Sequence, residues 1–233
     1  VNPVAEHLAA VHDTLTFDPL LHRYFVGTMQ LSSVTQVLKA CGISRDWSDV
    51  PLDVLEAKRA LGQAAHAAAH YYDDGSLRAE TVDDRVTPYL QAWIDFRTQT
   101  GFTPSLLETP LHHPGLMFAG TLDRAGCFEK FERCDPRDLY ILDIKTGDPD
   151  DAGAEWQTAA YAELLSMNLS RHSPFYASVD FRLRPRYSVR LWDDGRYTLA
   201  KYPDSLRNWT EFTHFLSTFR RQHAQRHPRR VAA

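Results

Sequence analysis

The chain has 233 residues, 43% apolar and 24% charged, enough to bury a full core in one large domain or a domain with an appended piece. Its net charge of −4 hides an asymmetry: residues 1–170 carry 13 basic against 25 acidic side chains, residues 171–233 carry 13 against 5. No run approaches the roughly 18 apolar residues of a membrane span, and no basic start precedes an apolar block, so neither a membrane anchor nor a secretory leader is expected.

In chain order, "LTFDPLLHRYFVGTMQ" reads as two short strands around a turn. "SSVTQVLKACG" follows as a helix, with Ser33 and Gln36 at capping-box spacing and Gly42 as its stop. A longer helix is predicted from about Leu52 to Tyr72, ending before Asp73-Asp74-Gly75. A third runs from about Asp84 to Thr100, with Pro88 in its first turns and Gly101 after its end. The runs "SLLETPLHH", "LMFAGTLDRAGCFE" and "LYILDIK" then alternate or are apolar throughout, which predicts consecutive strands.

"EWQTAAYAELLSMN" returns to helical spacing, and "FYASVDFRL" reads as another strand. "YSVRLWDDGRYTLAKY" is a hairpin around Asp194-Gly195, and a last helix runs from about Asp204 to Gln222. This order predicts one mixed α/β domain over about residues 1–222, helical over about 30–101 and strand-rich over about 102–222. Residues 223–233 read as a flexible basic tail. Cys41, Cys127 and Cys134 show no CxxC spacing and fit neither a disulfide framework nor a four-thiolate cluster, which points to a reducing, cytoplasmic setting. The acidic body and basic C-terminal third suit cation binding and polyanion contact respectively, with charge scatter on a solvated surface as the alternative.

The chemistry concentrates where "LYILDIK" ends. Alternation sends Asp143 and Lys145 to one face of the strand and Ile144 to the other. Alone, the pair reads as a surface ion pair worth about 0–1 kcal/mol. Asp123, in "AGTLDRAG" on the preceding strand, would stand beside Asp143, and two adjacent carboxylates repel unless a proton or a cation intervenes. Hard oxygen ligands suit Mg²⁺ or Mn²⁺, and Lys145 would then lie near a water or phosphate. On the following helix Gln157 and Tyr161 share a face at i and i+4, as site residues or ordinary amphipathic boundary residues.

The ordered set of Gly120 to Asp123, Asp143-Ile144-Lys145, then Gln157 and Tyr161 resembles the PD-(D/E)XK nuclease superfamily, nearest its RecB-type and phage exonuclease-like branch. "ALGQAAHAAAHYY", with Gly62 and His66, resembles the family's GxxxH helix, and "YFVGTMQLSSVTQVLKACG" the opening of phage-encoded members. The resemblance implies a restriction-endonuclease-like core, a central mixed sheet flanked by helices. It implies Mg²⁺ or Mn²⁺ held by His66, Asp123, Asp143 and the Ile144 backbone carbonyl. His70 is a weaker second histidine, and Glu108 an additional ligand or an edge-strand carboxylate.

Lys145 would position the attacking water, while Gln157 and Tyr161 hold substrate. DNA would be the substrate, with a recombination or repair protein as partner. Arg182, Arg184, Arg186 and Arg190 would track phosphates, Arg182, Arg184 and Arg186 on one strand face, or else form solvated strand faces. Arg229 and Arg230 would add salt-sensitive affinity. Three scattered cysteines cannot supply the four-cysteine iron–sulfur site of some relatives. The rivals are an inactive nucleic-acid-binding or assembly module on the same fold and a metal-dependent phosphoesterase on another substrate.

Overall fold

A computed structural model describes residues 8, 15–43, 48–130, 132, 139–147, 153–172, 176 and 179–226. The strands are β1 (Leu15–Asp18), β2 (Arg23–Val26), β3 (Met29–Ser33), β4 (Phe102–His113), β5 (Phe118–Phe128), β6 (Tyr140–Lys145), β7 (Arg186–Leu191) and β8 (Tyr197–Tyr202). The helices are α1 (Val34–Ala40), α2 (Leu52–Asp74), α3 (Thr87–Thr100), α4 (Ala154–His172) and α5 (Ser205–Arg226). The fold is mixed α/β, a central mixed sheet with helices on both faces.

Local signals explain most boundaries. Ser33 Oγ accepts from the Gln36 N–H at 3.1 Å and the Gln36 side chain accepts from the Ser33 N–H at 3.0 Å, a reciprocal cap that starts α1. Gly75 and Gly101 stop α2 and α3 in left-handed conformations, with φ of 77° and 66°. The opening segment forms three strands rather than two, β1 to β3, in an antiparallel meander. "FYASVDFRL" is not a strand where it is described: Phe181–Leu183 is a 3₁₀ turn. The Asp180 carboxylate accepts from the Arg182 N–H there, a local bond that competes with extended pairing. The last helix continues to Arg226, past the expected start of the tail, and Arg229 and Arg230 lie outside the described residues. Cys127 is disulfide-bonded, which corrects the expectation of reduced thiols throughout. No helix among the described residues is long and apolar enough to cross a membrane.

The sheet forks at β5. Along one edge β5 pairs with β4 over most of its length. Along the other, Phe118 and Ala119 pair in parallel with β3, while Arg124 to Gly126 pair antiparallel with β6. Between these two ladders, Gly120 to Asp123 face a gap where β3 and β6 diverge. Beyond it, β6 runs parallel to β7, with α4 in the crossover connection.

The core lies in two main layers. Tyr140, Leu142 and Ile144 of β6 pack with α2 and α3 around Trp93 and Phe96, while Leu139 and Ile141 pack with α1, α4 and α5 around Leu164 and Phe212. Burial of each such side chain stabilises by about 1.5–3 kcal/mol. Alternation from Ile141 therefore turns Asp143 and Lys145 toward α4, as the sequence predicts.

Two glycines let helices approach the fork. A Cβ on Gly120 would stand 2.6 Å from Tyr161 Cε1, and one on Gly62 would stand 2.9 Å from Thr146 Oγ1. The first obstacle is a packed ring, the second the tip of a small side chain. Gly120→Ala is expected to cost about 1–3 kcal/mol in denaturant unfolding and Gly62→Ala less. Equal costs would contradict this packing.

Candidate metal centre

The fork exposes a row of polar groups. β4 and β5 both change face beside it: Leu106 and Leu111, and likewise Leu122 and Ala125, enter the same core layer although the positions in each pair differ by an odd number. Glu108 sits at this change with a φ of 40°, uncommon for a residue with a side chain and the kind of local strain that collects at functional sites. The kink re-aims Glu108 and Asp123. With β6 diverging, the Asp123 carboxylate takes the place of a ladder partner and accepts the Ile144 N–H at 2.8 Å.

From the opposite layer α2 brings His66, whose Nδ1 lies 4.0 Å from Glu108 and 3.9 Å from Asp123. One ligand atom from each of His66, Glu108 and Asp123 can be chosen so that all lie within 4.8 Å of one another. Asp143 lies outside this trio, buried behind it at 1% exposure. Its Oδ2 stands 2.9 Å from the Lys145 ammonium, yet neither carboxylate oxygen has a hydrogen bond of good geometry. The Lys145 Nζ instead donates to Gln157 at 2.8 Å, and the Gln157 amide donates to the Tyr161 hydroxyl at 3.0 Å. The chain Asp143–Lys145–Gln157–Tyr161 thus holds one ammonium in one place. Tyr161 is buried with its ring packed against Gly120, and it also borders the cleft.

A second network, missed in the sequence, braces the trio from behind. Arg124 is fully buried; its Nε donates to Asp73 at 2.7 Å and its Nη1 to Glu108 at 2.8 Å. Asp73 also accepts from Trp93 at 3.0 Å and Arg97 at 2.8 Å. The sequence predicts the end of α2 before Asp73, whereas the helix runs on to Asp74 and buries the Asp73 side chain. A signal was available: Arg124 follows Asp123 in an apolar strand, so alternation had to send an arginine inward. α2 is therefore pinned to the sheet at Gly62 against Thr146 and at Asp73 against Arg124, with His66 between the two anchors.

The electrostatics reflect crowding. Burial, and then the neighbouring Asp143 carboxylate, push the Asp123 carboxyl up to about 7 against the pull of His66. Burial alone would lower His66, but Glu108, Asp123 and Asp143 together raise it. Burial would raise Glu108, but His66 and Arg124 hold it below its ordinary value. Burial, with Asp123 and Asp143 nearby, drives the Tyr161 phenol well above its usual range.

The donor set fits a hard divalent cation: two carboxylates and an imidazole converge, and a third carboxylate behind them lacks hydrogen bonds. His70 lies one turn further along α2, 3.7 Å from Asp74, and is not part of the trio. The trio opens on a cleft of about 1310 Å³, also lined by Gln157, Tyr161 and the α2 face.

The four C-terminal arginines do not form one surface. Arg186 is buried, donating to Ser205, the Glu155 carbonyl, Thr158 and Asn208; desolvation on β7 makes it structural and removes it as a DNA contact. Arg182 sits in the 3₁₀ turn, ion-paired with Asp180 and Glu163. Arg184 lies over the Tyr140 ring. Arg190 donates to the Gly147 carbonyl and lies over Trp192, both residues of the cleft lining.

Arg124→Gln is expected to cost about 3–5 kcal/mol in unfolding, because it leaves Asp73 and Glu108 short of their counter-charge. The raised Asp123 means that the folded protein holds a proton there which the unfolded chain releases near 3.8, so metal-free stability falls as pH rises toward about 7. The raised His66 acts in the same direction, upward from 6.5. Thermal melts of metal-free protein between about pH 5 and about pH 8 should show this fall, and Asp123→Asn should flatten it; an unchanged slope in the variant would contradict the assignment. Comparison with protein-family models and with curated proteins finds no match for the chain.

Proposed function

We propose that this chain is a Mg²⁺- or Mn²⁺-dependent nuclease that hydrolyses phosphodiester bonds in DNA. The observation that carries the reading is Asp143: a carboxylate at 1% exposure, without hydrogen bonds, beside a held ammonium and behind a His–Glu–Asp trio. An inactive assembly module gains nothing from such an incompletely compensated group, which costs folding free energy. DNA as the polymer, and assignment to the PD-(D/E)XK superfamily, are supported by the order of Asp123, Asp143-Ile144-Lys145, Gln157 and Tyr161 along the chain.

In this reading His66, Glu108 and Asp123 hold the cation, with Asp143 and the Ile144 carbonyl completing its surroundings. When bound, the ion neutralises charge on the scissile phosphate and makes a nearby water more acidic. Lys145, fixed by Asp143 and Gln157, keeps its proton at Nζ and orients the attacking water while countering negative charge on the phosphate. Tyr161 and Gln157 hold that ammonium in register. Asp123 must be deprotonated to serve as a ligand, so the metal-free site gains cation affinity as pH rises.

Cleavage of linear DNA with Mg²⁺ or Mn²⁺ is the test. Asp143→Asn should lower the rate by about a hundredfold or more, roughly 3 kcal/mol of transition-state stabilisation. Its metal-free form should melt at the same or a higher temperature than the parent, because a buried negative charge has been removed. Lys145→Ala should lose about 10²–10³-fold in rate, as for loss of one oriented donor. Cleavage undiminished in both variants would overturn the proposal.

A further inference from the structure

On the nuclease reading, the substrate backbone needs a grip, and the C-terminal arginines provide little of one. The cleft is lined by the hairpin residues Phe17 and His22 and by one face of α2, on which two basic side chains stand. Lys58, Arg59, Gly62, Gln63, His66 and His70 all line the cleft, a spacing of three to four residues that defines one helix face. Ala65, Ala68 and Ala69 occupy the other face and are buried in the core. The first part of α2, including Lys58 and Arg59, is exposed, and neither side chain is ion-paired or hydrogen-bonded among the described residues. Other arginines around the site are already committed: Arg97 and Arg124 to Asp73, and Arg190 to Gly147.

We infer that Lys58 and Arg59 form a phosphate clamp that holds the nucleic-acid backbone a few nucleotides from the bond cut at the trio. Lys58 precedes His66 by eight residues, which places it about 12 Å away along the helix axis. That distance spans about three to four nucleotides of a duplex strand at 3.4 Å each. The acidic trio repels a polyanion until a cation neutralises it, so uncommitted positive charge upstream on the same wall is what lets a strand enter. The clamp contacts phosphates and not bases, so its contribution is independent of sequence and sensitive to salt.

The test measures anisotropy of a short labelled oligodeoxynucleotide, single-stranded and as a duplex, in Ca²⁺ across a salt series, and steady-state cleavage in Mg²⁺. The full chain carries Lys58→Ala with Arg59→Ala, or Lys39→Ala with Arg221→Ala as a control with the same loss of charge from exposed positions outside the cleft. The α2 pair should weaken binding about tenfold or more and lower the salt slope by about 1.4–1.8, the contribution of two phosphate contacts. KM should rise while kcat stays within about twofold, the mark of lost ground-state binding. The control pair should leave the slope near the parent's. Equal effects from the two pairs, or none from the α2 pair, would overturn the clamp while leaving the nuclease reading intact. A parent protein that neither binds nor cuts DNA would overturn both.

Discussion

Three carboxylates, Glu108, Asp123 and Asp143, converge where the sheet divides, and the rest of the site depends on keeping them there. Burying one ionised carboxylate without a partner is prohibitive, and packing three together adds mutual repulsion. Each is met by a cation: Arg124 at Glu108, His66 between Glu108 and Asp123, Lys145 at Asp143. The compensation is incomplete. Asp143 keeps two oxygens without hydrogen bonds, and Asp123 is pushed to about 7. A folded protein that leaves such a deficit has a place for charge from outside, and a divalent ion is the simplest source.

The fold delivers these groups through one irregularity. An unbroken sheet would have paired β5 with a single neighbour on that edge and spent its backbone groups on the ladder. The divergence of β3 from β6 opens the edge between Ala119 and Arg124, and Asp123 fills it by accepting the Ile144 N–H. The opening also joins the two faces of the sheet, so that His66 from one helical layer meets residues whose neighbours face the other. Precision in His66 comes from its two flanking anchors, close approach at Gly62 and the buried Asp73–Arg124 pair. The second is an electrostatic brace of the kind that is costly to break by halves.

Much of this was legible in the chain. Capping at Ser33, the glycine stops at Gly75 and Gly101, the hairpin at Gly195 and the alternation of β6 are local signals, and each lies where residue chemistry puts it. The co-facing of Asp143 and Lys145 followed from strand geometry alone. Contacts between distant segments were harder. Nothing in "HYYDDG" says that Asp73 turns inward to meet Arg124 fifty-one residues later. Arg186 sits in a basic, alternating run that reads as a solvated face, and only the packing of α4 and α5 on β7 reveals it as buried. The three-residue turn at Phe181–Leu183 defeated a strand pattern because Asp180 offered the backbone a nearer partner.

On the proposed function, the carboxylate cluster receives a divalent cation. Calorimetric titration of Mn²⁺ into the metal-free protein near pH 8, alongside His66→Ala and Asp123→Asn, tests it without reference to any substrate. The expected result is saturable binding, weakened at least tenfold in each variant. Absence of saturable binding, or binding of unchanged affinity in both variants, would contradict it.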